Sequence, residues 1–233
     1  MLVATAAHIE LELPGARVRF TTRAGGVSEG PYASLNLGLW TDDDPAAVAE
    51  NRRRAGDGMP LAWGRQVHGK RVLTVDGATA GDAPDADGVA TAAPGVAALV
   101  LTADCLPIAL ATPGAVAMVH AGWLGLADGV LEAGVKAIRA LDPAGGLAAA
   151  IGPGAGGCCY EVGDEVAARF PEVARRADRT IDLKAIAASR LAAAGVTQLL
   201  DVDRCTMCEP DLFFSHRASG GLTGRQGGLI WRS

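Results

Sequence analysis

Aromatic side chains are scarce in this 233-residue sequence, at 4% of residues against 49% hydrophobic overall. A core built from rings is excluded, so Ala, Val and Leu must fill it, and the composition is the reverse of a disordered chain's. No block of like charge occurs. With 21 Lys and Arg against 26 Asp and Glu, the net charge is −5, which speaks against a phosphate-tracking footprint for nucleic acid. No apolar run reaches the roughly 18 residues that span a bilayer. The richest stretch, 97–119, is broken by Asp104, Pro107 and Pro113-Gly114, so no membrane partner is expected. The N-terminal MLVATAAHIELELPG has no basic segment and carries His8, Glu10 and Glu12 where a signal peptide needs apolar residues. A cytoplasmic, soluble protein is the expectation. The cysteines Cys105, Cys158, Cys159, Cys205 and Cys208 are odd in number in a chain of ordinary size, which favours thiols and ligands over a disulfide framework. No repeat, low-complexity tract or linker divides the chain, so one domain over residues 1–233 is expected. A chain of this length buries roughly 70–75% of its unfolded surface without staples.

Strand signals occur at 18–21, 72–75 and 88–91, then densely at 97–101, 108–111 and 116–119, with further strands at 147–151, 198–202 and 228–231. Helix signals come mostly later. Asp128 is placed to cap a run reaching Leu141, residues 163–170 stop at Pro171, and Asp182 caps a run from Leu183 to Ala194 that ends at Gly195. The mixture points to layered sheet and helix, α/β or α+β, with mixed sheets. Thr112-Pro113-Gly114-Ala115 reads as a tight turn between two apolar runs. A hairpin closed there pairs Ala109 with Met118 and Pro107 with His120, and brings Cys105 near His120 at its open end.

Two histidines and one cysteine stand out. His120 ends the apolar run 116–119 and is followed by Ala121-Gly122-Trp123-Leu124-Gly125, where two glycines let the backbone turn sharply. Cys105 follows Asp104, a polar pair inside a long apolar run, and a buried Asp requires hydrogen-bond partners that a purely structural design avoids. The competing reading of Cys105 is an inert core thiol. His68, in Arg65-Gln66-Val67-His68-Gly69, sits where its ring projects from a strand end, although a lone histidine is commonly structural. Together the three make a ligand set with a fourth position left for water, the pattern of a catalytic zinc site.

The remaining cysteines have weaker readings. Cys205-Thr206-Met207-Cys208 is a single CxxC without a second pair or nearby histidines, so a closed zinc knuckle is not expected and thiols packed near the site are. Cys158-Cys159 follows the glycine-rich 151–157, which lacks the Lys-Ser/Thr ending of a Walker A loop. That loop is either an anion cradle of backbone N–H groups or plain irregular structure. Arg52, Arg217 and Arg225 are the cations to test for phosphate contact, and Asn36 and Arg65 complete the candidate substrate-binding residues, although most arginines merely solvate a surface.

The segments AGGVSEGPYASLNLG, RQVHG, DADGVAT, TADCLPIAL, VHAGWLG, IGPGAGGCCYEVG and CTMCEPDLFFSHRASGGLTGR resemble, in order and spacing, the YfiH family, from about residue 18 to the C-terminus. That family has been called polyphenol oxidoreductase laccase, purine nucleoside phosphorylase and peptidoglycan editing factor. The resemblance implies an α/β domain with mixed sheets between helices, and a zinc site from His68, Cys105 and His120. It implies phosphorolysis of adenosine, inosine, guanosine and methylthioadenosine, with adenosine deamination beside it. Small-molecule purine nucleosides and phosphate are thus the expected partners. One departure is Leu124, where the family commonly has arginine in HAGWRG. Two rivals stand beside this reading. A Cys/His hydrolase or amidase acting on aberrant cell-wall (peptidoglycan) precursors would use Cys105 as nucleophile and His120 as base. A copper-dependent polyphenol oxidoreductase would need a histidine-rich cluster, whereas the chain has His8, His68, His120 and His216. Copper would nonetheless suit a His/His/Cys site as readily as zinc. A metal- or partner-binding module without turnover is the non-catalytic alternative.

Overall fold

The computed structural model describes residues 3–171 and 179–233. In chain order its elements are β1 (Val3–Ala4), β2 (His8–Leu13), β3 (Ala16–Thr21), a 3₁₀ turn (Gly30–Tyr32), α1 (Pro45–Ala55), β4 (Leu61–Ala62), β5 (Val72–Val75), β6 (Gly88–Thr91) and β7 (Ala97–Thr102). They continue as β8 (Leu106–Ala111), β9 (Val116–Ala121), α2 (Trp123–Asp128), α3 (Val130–Leu141), β10 (Ala148–Ile151), α4 (Asp164–Ala167), α5 (Leu183–Ala193), β11 (Gln198–Asp201) and β12 (Gln226–Arg232). The strands form two mixed six-stranded sheets, ordered β1-β2-β3-β12-β7-β4 and β11-β10-β8-β9-β6-β5. In each, an edge strand pairs in parallel with its neighbour while the central pairs are antiparallel. The fold is α+β.

The central hairpin β8–β9 is apolar on both faces because both faces are covered. Leu106, Ile108, Leu110 and Val119 pack toward α3 and α5, whereas Ala109, Ala111, Val116 and Met118 pack toward Val18, Phe20, Val100 and Ile230 of the other sheet. This two-sided burial is why 106–111 and 116–121 read as continuous apolar runs instead of alternating ones. Small residues set the spacing. A Cβ on Gly228 would lie 2.7 Å from Pro107 Cβ and 3.1 Å from Met118 Sδ, so the sheets approach there only because β12 carries glycine. On the outer face of the first sheet, α1 lies over Leu101, and Arg19 Nη1 donates to Ala55 O at 2.8 Å. The sheets thus lie between helices.

Several elements differ from the sequence expectation. Asp128 ends α2 instead of capping α3; Gly129, at φ +92°, separates the two helices, a conformation glycine adopts without strain. The helix expected over 163–170 is only the single turn α4. Two further elements carry local sequence signals of their own. In β2, Ile9, Leu11 and Leu13 alternate inward, and α1 opens on Asp44, whose carboxylate accepts from Ala46 N–H, with Pro45 in the first turn. No helix among the described residues is long and apolar enough to cross a membrane.

Candidate metal centre and the cleft around it

The hairpin register pairs Pro107 with His120 and Ala109 with Met118, as the turn at 112–115 requires. Cys105 precedes β8 and His120 stands one residue before the end of β9, so both project at the open end of the hairpin. His68 arrives from the segment between β4 and β5, with φ at +58°. The ligating atoms of His68, Cys105 and His120 all lie within 4.8 Å of one another. Cys105 Sγ is 3.9 Å from His68 Nε2, and the two imidazoles meet edge to face with centroids 4.9 Å apart. Glycine permits this approach: a Cβ on Gly122 would stand 3.0 Å from Cys105 Sγ and 3.1 Å from His68 Cδ2.

One buried carboxylate organises both histidines. Asp87 Oδ1 lies 2.8 Å from His120 Nδ1 and accepts from His68 N–H at 2.9 Å, while Oδ2 accepts from Gly69 N–H at 2.7 Å and Val67 N–H at 3.2 Å. The bond to Nδ1 leaves His120 Nε2 for a metal, the arrangement by which a carboxylate hydrogen-bonded to the far ring nitrogen orients a metal-binding imidazole. Burial pushes the Asp87 carboxyl up, but His120 and the backbone N–H groups outweigh it and hold the carboxyl below its usual range. Asp87 was legible only as the second acid of the DADG segment, with nothing local to assign it a role.

Asp104 plays a related part beside Cys105. It is buried at φ +96°, held by Thr206 Oγ1 donating at 2.7 Å and Arg217 N–H donating at 2.8 Å. Non-glycine residues at such φ values are costly and cluster where surrounding structure fixes a functional geometry. Burial opposes ionisation of the Cys105 thiol, yet the facing His120 and His68 draw its pKa down to about 6. For His120, burial favours the neutral ring, and Cys105 and Asp87 overcome it to raise the pKa to about 9. Each group thus favours the charged form of the other. Two imidazoles and one thiolate converging on one point, open to a cleft on the remaining side, fit a metal held by three protein ligands.

That cleft holds about 380 Å³. Its walls include Trp40, Trp123, Tyr160, Gln66, Arg217 and Arg225. Thr102 also lines it, with a buried hydroxyl that has no hydrogen-bond partner among the described residues. The Arg217 guanidinium lies over the Tyr160 ring, 4.7 Å from its centroid, and its Nη1 donates to Glu161 O. Arg225 Nη1 donates to Thr223 O and Gly224 O, both at 2.9 Å. Asn36 lies behind the wall, its Oδ1 accepting from Arg225 N–H at 2.8 Å and Gly38 N–H at 3.0 Å. Arg52 and Arg65 do not line the cleft. Arg52 is buried over Trp63, 4.3 Å from the ring centroid, with Nη1 donating to Leu37 O at 3.0 Å. Arg65 is exposed and paired with Asp85 at 2.5 Å. Leu124 is half-buried on α2 and lies outside the cleft lining.

The other four cysteines correct the reading of a solitary CxxC. Cys158 and Cys159 come to meet Cys205 and Cys208, and all four sulfurs lie within 4.8 Å of one another; none of the four lines the cleft.

Fold and site define a two-sheet α+β protein in which the open end of the central hairpin and the segment between β4 and β5 bring together an open-sided His/Cys/His set in the lining of a cleft. A family model described as multi-copper polyphenol oxidoreductase laccase matches residues 17–233. A relative from Streptomyces griseus named purine nucleoside phosphorylase ORF3 is 42% identical, with 93% of this chain and 94% of that one covered. Purine nucleoside phosphorylase YfiH of Escherichia coli is 40% identical, with 91% of each chain covered. Among solved structures, YlmD from Geobacillus stearothermophilus superposes with a TM-score of 0.90 at 35% identity, covering 99% of this chain and 98% of that one. Bacillus licheniformis YfiH gives 0.88 at 29% identity over 100% of this chain and 99% of that one. The chain belongs to the YfiH family.

Proposed function

We propose that this protein is a zinc-dependent purine nucleoside phosphorylase acting on adenosine, inosine, guanosine and methylthioadenosine, with adenosine deaminase activity at the same site. The observation that carries the reading is a single cleft in which aromatic walls, two arginines and the His68/Cys105/His120 set face one another. Its volume lies in the range of small-molecule sites. The names of the relatives supply the substrate class.

Each part has a task in phosphorolysis, where a phosphate oxygen bonds to ribose C1′, the bond from C1′ to the purine nitrogen breaks, and that nitrogen takes a proton. Trp40, Trp123 and Tyr160 stack the base and exclude water. Arg217 and Arg225 hold phosphate, which removes the need for an arginine at position 124, since that position stands outside the cleft lining. Asn36 acts as a positioning residue by fixing the Arg225 backbone. His68, Cys105 and His120 would hold zinc, which supplies Lewis-acid polarisation of a purine or water atom at the reacting centre. In deamination, water adds at purine C6 and ammonia leaves from the same bound base.

A second reading rests on the lowered Cys105 pKa: a hydrolase or amidase with Cys105 as nucleophile and His120 as its proton partner. Metal would then inhibit. The test is chromatography of products after incubating metal-quantified protein with adenosine, with and without phosphate, beside Cys105→Ala. Adenine and ribose 1-phosphate formed only with phosphate, and reduced at least 100-fold in the variant, is the expected result. Inosine alone would retain deamination and discard phosphorolysis. No product from zinc- or copper-loaded protein would discard both, and turnover that rises on chelation would favour the thiol hydrolase.

A further inference from the structure

Two tight turns face each other on the side of the molecule where β10 and β11 end. In the first, Cys159 N–H and Tyr160 N–H both donate to Gly156 O at 3.0 Å, which folds Cys158 and Cys159 onto one side. In the second, Glu209 N–H donates to Cys205 O at 3.1 Å, closing the CxxC into a single turn. The turns are stitched together by Gly154 N–H donating to Arg204 O at 3.3 Å and Thr206 N–H donating to Gly154 O at 3.1 Å. This brings Cys159 Sγ to 3.2 Å and Cys158 Sγ to 3.6 Å from Cys208 Sγ, with all four sulfurs within 4.8 Å.

We infer that Cys158, Cys159, Cys205 and Cys208 form a second metal site, a closed four-thiolate centre for a single zinc ion. Four sulfurs at the corners of a regular tetrahedron with Zn–S bonds of about 2.3 Å are about 3.8 Å apart, a separation between the 3.2 Å approach of Cys159 to Cys208 and the 4.8 Å that bounds the whole group. The set leaves no open position, so the centre is structural. A multinuclear iron–sulfur cluster would hold its thiolates farther apart than this gap allows. Gly156 N–H donates to Cys205 Sγ at 3.3 Å, an interaction that stabilises a thiolate. A side chain at Gly156 would crowd the group, since its Cβ would lie 3.1 Å from Cys158 Sγ and 3.4 Å from Cys205 Sγ.

The position of the centre gives it a role. Tyr160, next to Cys159, lines the cleft, and Thr206, next to Cys205, holds Asp104, the neighbour of Cys105. Asp104 in turn fixes the Arg217 backbone. A metal joining the two turns therefore clamps the cleft wall that carries Tyr160 and Arg217, without touching the substrate.

The test separates this centre from the one in the cleft by using Cys105→Ser, purified without chelator or reductant, as the background. Elemental analysis is expected to find one zinc per chain in Cys105→Ser and none once Cys205→Ser and Cys208→Ser are added. X-ray absorption of zinc in Cys105→Ser is expected to show a sulfur-only shell at about 2.3 Å. Cobalt(II) exchanged into the same variant is expected to give strong sulfur-to-cobalt charge-transfer bands with the ligand-field pattern of a tetrahedral thiolate. The last two measurements keep all four thiols, so they stand even if the triple variant misfolds. The inference is overturned if Cys105→Ser neither retains zinc nor binds a stoichiometric addition of it, if nitrogen or oxygen enters the shell, or if mass analysis finds disulfides among the four cysteines. Loss of nucleoside turnover in Cys105→Ser bears only on the cleft.

Discussion

Asp87 shows how much of the site depends on one side chain, since its two oxygens hold the His120 ring and three successive backbone N–H groups around His68. Asp87→Asn keeps the shape but removes the charge that orients the imidazole. Zinc affinity at the cleft is expected to fall about 10–100-fold, measured by competition with a chromogenic chelator, in line with losses at other carboxylates that orient a ligating histidine. The Cys105 thiol supplies a second prediction. Its ordinary value of 9.0 is lowered to about 6 because the imidazoles outweigh burial, and the thiolate is the form that alkylates. In metal-stripped protein, peptide-resolved iodoacetamide labelling of Cys105 is therefore expected to rise through a midpoint near pH 6. His120→Ala leaves burial less opposed, so the midpoint should move upward; an unchanged midpoint would show that His120 does not set it.

At the scale of elements, β8 and β9 do two jobs. They fill the middle of both core layers, and their open end brings Cys105 beside His120. The contact with α3 is close: a Cβ on Gly134 would lie 2.8 Å from Val119 Cγ2 and 3.1 Å from Leu110 Cδ1, so helix and sheet meet over a glycine. Leu110 is fully buried in that contact. Leu110→Ala is expected to cost about 2–5 kcal/mol in denaturant unfolding, because the surrounding sheet cannot collapse onto the cavity. Leu110 also lies away from the cleft lining, so KM of the folded variant should stay near the parent value.

For the whole molecule, a metal that binds only the folded state adds to its stability by mass action. At a free concentration about 100 times the dissociation constant the gain is about 2.7 kcal/mol, which for a domain of this size corresponds to a Tm shift of about 5–11 °C. Stripping the protein with a strong chelator is expected to lower Tm by at least that much, and restoring zinc to recover it. A Tm indifferent to chelation would argue against tight metal binding at either cluster. In Cys105→Ser, a chelator-sensitive Tm should remain, because the four-thiol group shares no residue with the His68/Cys105/His120 set.

The local chemistry of the chain determined a good deal. Apolar runs bounded by Pro113-Gly114 set the β8–β9 register, because a tight turn permits few pairings and a one-residue slip would turn Met118 and Val119 to the wrong faces. That register alone placed Cys105 beside His120. The capping of α5 by Asp182 was equally local, its side chain accepting from Ala185 N–H. What the tertiary structure alone decided was everything joined across long sequence separations. His68 reaches Cys105 across 37 positions, and Asp104 meets Arg217 across 113. Arg52, plausible as an anion ligand by type, is spent instead under Trp63 and Leu37. Cys158 and Cys208 are 50 residues apart, so a lone CxxC gave no sign of its partners. Periodicity and turn chemistry act over a few residues, whereas such meetings depend on how two sheets stack, which no short window of sequence encodes.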